Sequence, residues 1–174
     1  HNNTYGDCTM STLSVNTITA ETGNTVSLAS GKTLNASQGL TTPAGHVIQV
    51  VEGSYSTQTD IGSASYVDTG LSVTITPKFS SSKVYVITNL QTFVNGVGII
   101  GVSIVRGSTS ILEQQGAAGY QDNSADVVSL TKLDSPATTS ATTYKVQVNQ
   151  IANSGTLRIN QYGGSYITVM EVAG

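Results

Sequence analysis

Tryptophan is absent from this chain of 174 residues, cysteine occurs once, proline three times and histidine twice, and charged residues make up only 10%. Each shortage removes a class of protein. The lone Cys8 excludes an intrachain disulfide. His1 and His46 are not at ligand spacing, so no metal motif is legible. The seven cations are scattered and the net charge is −3, which leaves nucleic-acid binding without an electrostatic footprint. No apolar run approaches the roughly 20 residues of a membrane span, and the N-terminus lacks a basic-then-apolar leader.

Ser, Thr, Asn, Gln and Gly fill the space that charge leaves, against about 25% charged residues in a typical domain. A neutral, hydroxyl-rich surface of this kind suits extracellular and virion fibres better than an intracellular enzyme. The apolar residues alternate too regularly for a disordered chain.

The N-terminal part carries a repeat. Thr17–Asn24, Thr25–Lys32 and Thr33–Leu40 are three consecutive octads. Thr17, Thr25 and Thr33 align, as do Ile18, Val26 and Leu34, then Ala20, Leu28 and Ala36, and then Gly23, Gly31 and Gly39. Each unit reads as a short strand and a Gly turn. Two apolar residues per strand cannot bury a face alone, so such repeats hide them by stacking or by winding around copies of the same chain. Residues 13–44 therefore read as a stalk, with Leu13, Val15, Ile18, Val26, Leu28 and Leu34 as its oligomerisation residues and Thr41–Gly45 as a hinge. Residues 1–12 show no pattern and read as an extension or attachment segment. Met10 looks more like a natural start than His1, so residues 1–9 are an extension, a cloning remnant or the end of a longer chain.

Beyond the hinge the sequence is strand after strand. Val47–Val51, Tyr66–Thr76, Val84–Phe93, Ile99–Val105, a short Ile111–Leu112, Val127–Leu133, Tyr144–Val148, Leu157–Ile159 and Tyr166–Val172 alternate apolar and polar residues between Gly, Pro and Ser punctuation. This predicts nine or ten strands in an all-β, antiparallel, jelly-roll-like sandwich over residues 45–174. No window carries a capped helical stripe, which excludes parallel α/β folds.

Chemistry is harder to find. No G-x-S-x-G elbow occurs, and Gly96–Gly98 and Gly116–Gly119 lack the lysine and the strand–turn–helix setting of a phosphate loop. Asp60 with Asp68, or Asp122 with Asp126, supplies the paired carboxylates of a glycosidase, yet all four sit in or beside turns, where Asp serves local backbone bonds. His46 lies at the stalk–domain junction; it reads as a hinge or interface residue, and a threefold axis collecting its copies around an ion is the alternative. The expectation is a chain that is not an enzyme and carries no cofactor or catalytic residue. What remains is recognition. Gln114–Asn123, read as the longest non-strand stretch, and Gln161–Tyr166 mix amides, a carboxylate and aromatics. Sugars have an apolar face and a hydroxyl rim, which such groups match. Tyr120, Gln121, Asp122, Asn123 and Tyr162 are the candidate receptor-binding residues; plain solvated loops are the alternative.

Several phrases together carry a resemblance. They are Gly45–Val50, Asp68–Pro77, Ser80–Val84, Leu133–Pro136, Thr139–Val148, Gly155–Asn160 and Ile167–Val172. In this order and spacing the chain resembles, over residues 45–174, a module of fibre and other structural proteins of tailed bacteriophages, notably those of cyanobacteria and marine bacteria. The octads resemble the threads that precede such modules. The resemblance implies a homotrimeric fibre on the exposed surface of the phage particle. It would be joined to other virion proteins through its N-terminal segment and bind a host-surface glycan or protein, with no nucleic-acid partner and no membrane insertion. A tail fibre, a head fibre, a capsid decoration or baseplate protein without a receptor, and the distal piece of a segmented fibre all stay open.

Overall fold

The computed structural model describes Ser30 and residues 43–120, 123–153 and 155–174. The chain divides into two compact units, residues 1–40 and 41–174, and the fold below is that of the second. Leu13, Val15, Ile18, Val26, Leu28, Leu34, Gln121 and Asp122 lie outside the described residues.

Ten strands follow one another: β1 Val47–Tyr55, β2 Thr59–Ile61, β3 Val67–Ile75, β4 Lys83–Asn95, β5 Gly98–Arg106, β6 Thr109–Tyr120, β7 Ser124–Asp134, β8 Thr142–Asn153, β9 Thr156–Ile159 and β10 Ser165–Val172. They form two antiparallel sheets, one of six strands and one of four. In the larger sheet, β10 runs along Lys83–Asn89 of β4 and β9 continues along Thr92–Asn95 of the same edge. β1 and β2 extend the pattern in the same way, on β10 and β9. The six strands therefore lie in four ribbons, ordered β1/β2, β10/β9, β4, β7, and face four more, ordered β3, β8, β5, β6. Apart from the collinear pairs, only the β5–β6 hairpin among these strands connects neighbours within one sheet; the other connections cross the sandwich. This is the jelly-roll order of two interlocked Greek keys.

Period-two alternation explains the layers. Leu71, Val73 and Ile75 of β3, Val84, Val86, Leu90 and Val94 of β4, Ile100, Val102 and Ile104 of β5 and Tyr144, Val146 and Val148 of β8 are buried in one core cluster. Leu157, Ile159, Ile167 and Val169 join them from β9 and β10. Burial of each such side chain stabilises by about 1.5–3 kcal/mol.

Two interruptions shape the larger sheet. Between β9 and β10, Asn160 adopts φ 62° and its side chain accepts the Ser165 hydroxyl at 2.6 Å, while Ser165 Oγ accepts the Gln91 amide at 2.9 Å. Residues 160–164 thus rise off β4 as a clamped loop. At the sheet's edge, β1 passes so close to β3 that a Cβ on Gly53 would land on the Ser72 carbonyl. Only a glycine permits that approach.

Polar groups fasten the end of the sandwich where β1 begins and β10 finishes. The fully buried Glu171 accepts Gln49 Nε2 at 2.6 Å and the Lys78 amide at 2.7 Å. It ties β1 and β10 to the β3–β4 connection. Gly45 donates its amide to Ala173 and Ala173 donates its own to His46, both at 2.8 Å, so the hinge expected at Thr41–Gly45 is pinned to the C-terminus from Gly45 onward.

One expectation fails. The stretch Gln114–Asn123 is not a long loop: β6 continues to Tyr120 and pairs Ile99 with Gly119 and Gly98 with Tyr120. The alternation is hidden by a bulge. Ile100 pairs with Ala118 and Val102 already with Gln114, so extra residues around Gly116, at φ 65°, break the period.

Candidate functional site

The connection from β6 to β7 passes through residues 121–123, of which Asn123 is described, in the left-handed region at φ 55°. Asn tolerates that conformation better than most residues. Tyr120 closes β6 opposite Gly98. Tyr162 sits elsewhere in sequence but at the same end of the larger sheet. Ser124, next to Asn123, pairs with Val94, and the ring of Tyr162 stands edge-on to that of Phe93 at a centroid distance of 5.5 Å and 90°.

Phe93 explains why this loop has a fixed form. It faces outward from β4, away from the core, yet is nearly buried because Tyr162 covers it. Tyr162 itself is 68% exposed. A polar chain holds it from the side. Asp60 accepts Arg158 Nε at 3.2 Å, Arg158 Nη1 donates to Gln161 Oε1 at 3.1 Å, and Gln161 Nε2 donates to the Tyr162 hydroxyl at 3.3 Å. The Tyr162 amide reaches Gln91 Oε1 at 3.5 Å. The phenol oxygen thus accepts from Gln161, and its own hydrogen is left to donate outward. The result is an aromatic surface rimmed by amides, a guanidinium and a carboxylate, which suits the apolar face and hydroxyl rim of a sugar. Gln161 lies in the loop singled out from the sequence; Phe93 and Arg158 were missed, Phe93 because it meets Tyr162 only where β9 lies beside β4, Arg158 because its bond to Gln161 is set by the turn after β9.

Asp60 and Asp68 do not converge, and of the second pair only Asp126 is among the described residues. Asp60 is engaged by Arg158 on the larger sheet. Asp68, on the smaller sheet, accepts Lys145 Nζ at 2.8 Å and Gln147 Nε2 at 2.7 Å, and the Lys145 bond holds its carboxyl below the usual range. Asp126 caps the amide of Val127 at 2.7 Å. Such ion-paired and turn-bound groups are structural. A hollow lined by Asp68, Gly70, Leu71, Ser72 and Lys145 holds about 90 Å³, well below the roughly 300–1,000 Å³ of a ligand pocket. His46 Nδ1 bonds the Pro43 carbonyl at 3.0 Å within the entry turn. Among the described residues no three His, Cys, Asp or Glu side chains group as metal ligands, and no helix is long and apolar enough to cross a membrane.

No family model and no curated protein sequence matches the chain. Solved structures do. A chain of the infectious bursal disease virus particle is 11% identical, with a TM-score of 0.47, over 87% of this chain and 41% of its own. A chain of that virus's VP2 subviral particle is 9% identical, with a TM-score of 0.46, over 82% of this chain and 37% of its own. A Bacillus endospore appendage chain, from a family of disulfide-linked pili, is 12% identical, with a TM-score of 0.34, over 78% of this chain and 97% of its own. The chain spans about two fifths of the viral chains to which it is similar.

Proposed function

We propose that this chain is a bacteriophage fibre protein: a homotrimeric virion component whose jelly-roll domain is carried on the octad stalk and binds the host-cell surface. It performs no catalysis. The observation that carries the receptor-binding part is the Tyr162 platform, an exposed aromatic that the sandwich holds in one orientation through Phe93 and the Asp60–Arg158–Gln161 chain. A preordered aromatic loses little entropy on binding. The phrases shared with tailed-phage fibre modules and the three octads support the virion and trimer parts. Three weak sites on one stalk would act by avidity, the second and third engaging at a high effective concentration.

The test is binding of the labelled, unheated chain to cells of a phage-sensitive strain, beside Tyr162→Ala, with reducing-sugar release from the surface polysaccharide measured in parallel. Saturable binding that the substitution abolishes, without sugar release, is the expected result. A second reading is a capsid decoration or baseplate protein with no receptor. It is favoured if the chain stays on purified particles but ignores cells and isolated surface polysaccharide.

A further inference from the structure

The outward faces of the two sheets differ in kind. On the smaller sheet the outward side chains are mostly polar and satisfy one another: Thr74 with Thr143, Ser103 with Ser110, Lys145 and Gln147 with Asp68, and Gln115 with Tyr66. Exposed Ile99 and Ile151 interrupt this face near its far end.

The larger sheet is the reverse. Its register sets Val50, Met170, Tyr85 and Leu133 in one row across all four ribbons. Val47 and Val172 lie in the row before, Ile87 in the row after, and then come Tyr166 and Val127. Val50 is 55% exposed, Leu133 49%, Val127 56% and Tyr166 47%. Rows of exposed branched and aromatic side chains on one sheet face mark an interaction surface in a soluble protein.

We infer that this outward face of the β1–β10–β4–β7 sheet is where copies of the chain pack against one another; the inference rests on the trimeric reading above and assigns the surface that makes the trimer. Three observations favour a copy of the chain over another occupant. β1 enters the sandwich at Val47, a corner of this face, and the octads precede that corner in every copy of the chain. The central rows carry one cation, Lys83, and one anion, Glu52, so the face is electrically self-complementary when repeated around an axis. Its size also fits. Four ribbons about 4.8 Å apart and the five rows from Lys83 to Gln91, about 6.7 Å apart, give a plan area on the order of 400 Å², and they stop short of the Phe93 row that Tyr162 covers. With side-chain relief this approaches the roughly 800 Å² that one partner contributes to a specific interface.

The test uses the full chain: native mass by light scattering, and hydroxyl-radical labelling of the assembled protein. Val50, Tyr85, Leu133 and Met170 are expected to label several-fold less than their exposure in a single chain dictates, while Ile99 and Ile151 label fully. Val50→Glu with Leu133→Glu should raise the dissociation constant by at least about tenfold per buried charge, with an unchanged circular dichroism spectrum. Thr74→Glu, on the opposite face, should leave the mass as it is. A trimer whose two faces label alike, or whose mass and labelling survive the double substitution, overturns the assignment and leaves the fibre reading standing. A monomeric wild-type mass overturns the trimeric reading and this inference together.

Discussion

The Tyr144 hydroxyl, on β8 of the smaller sheet, donates to Asp134 Oδ2, on β7 of the larger one, at 2.7 Å. Arg106 Nη1 meets both Asp134 oxygens, at 2.8 and 2.7 Å, and so completes a tie between the sheets at one end of the sandwich. Burial first, and the Asp134 bond after it, push the Tyr144 phenol well above its ordinary range. A raised folded value means that this contribution is whole below about pH 10, the unfolded value, and fades as pH climbs toward the folded one. Tyr144→Phe should cost about 1–2 kcal/mol by urea denaturation at pH 7 and should flatten the loss of stability in alkali. Asp134→Ala should cost more, about 3–5 kcal/mol, because it takes the acceptor from the buried Tyr144 hydroxyl and the carboxylate from Arg106, which keeps the Ser135 carbonyl. Equal midpoints for the wild type and both variants would show that the tie carries no stability.

Glu171 works at the opposite pH extreme. Burial by itself would raise its carboxyl, but the bonds from Gln49 and from the amides of Lys78 and Phe79 outweigh that and hold it below the usual value. A depressed folded value gives stability that is whole above the unfolded pKa and lost as pH falls through the folded one. Melting temperatures should therefore fall below about pH 5. Glu171→Gln should lower stability by roughly 1–3 kcal/mol at pH 7 and shrink that acid dependence. A variant as stable as wild type at pH 7 and as acid-sensitive would remove Glu171 from the account.

The sandwich was legible wherever one strand face is buried, because burial there imposes period two. Leu71, Val73 and Ile75, or Tyr144, Val146 and Val148, declare a strand without any neighbour's help. What escaped depends on partners. β2 is three residues long and exists because Thr59–Ile61 meets Leu157–Ile159. The second half of β6 is built of Gln, Gly and Ala, weak strand formers that β5 recruits through a bulge. The same limit applies to the candidate site. Tyr162 could be singled out as an aromatic in a glycine-flanked turn, but Phe93, about 70 residues away, and Asp60, which anchors Arg158, join the site only through the order of the ribbons.

The edge contact between β1 and β3 can be tested with one methyl group. A Cβ at Gly53 meets the Ser72 backbone, which cannot swing aside as a side chain would. Gly53→Ala should destabilise by about 1–3 kcal/mol. Gly163→Ala, where nothing lies within 4 Å, should be close to neutral. If the two substitutions shift the urea midpoint alike, the close approach of the two edge strands is wrong.

The octads make a prediction of their own. Ile18, Val26 and Leu34 recur at one position of the repeat. If chains wind around each other there, Asp at all three positions places uncompensated carboxylates inside the bundle, at a cost of several kcal/mol per group. Light scattering of the triple variant should give the mass of one chain, or of a domain-only association that dissociates on dilution. A wild-type mass that persists through dilution would show that these residues are not buried between chains.

Tyr162 separates packing from recognition. Tyr162→Phe keeps the edge-on contact with Phe93 and removes the outward hydroxyl; Tyr162→Ala removes both and uncovers Phe93. The aromatic pair is worth about 0.5–1.5 kcal/mol beyond its buried area, so only the Ala variant should show a lower melting temperature. Binding should order differently. Loss of one hydrogen bond costs each site about 1 kcal/mol, a factor near five in affinity. If three sites engage together, as proposed, the factor multiplies across them, and Tyr162→Phe should already lower cell binding by roughly a hundredfold while leaving the fold untouched. Cell binding unchanged in both variants would move recognition away from this loop, whatever the fate of the melting temperature.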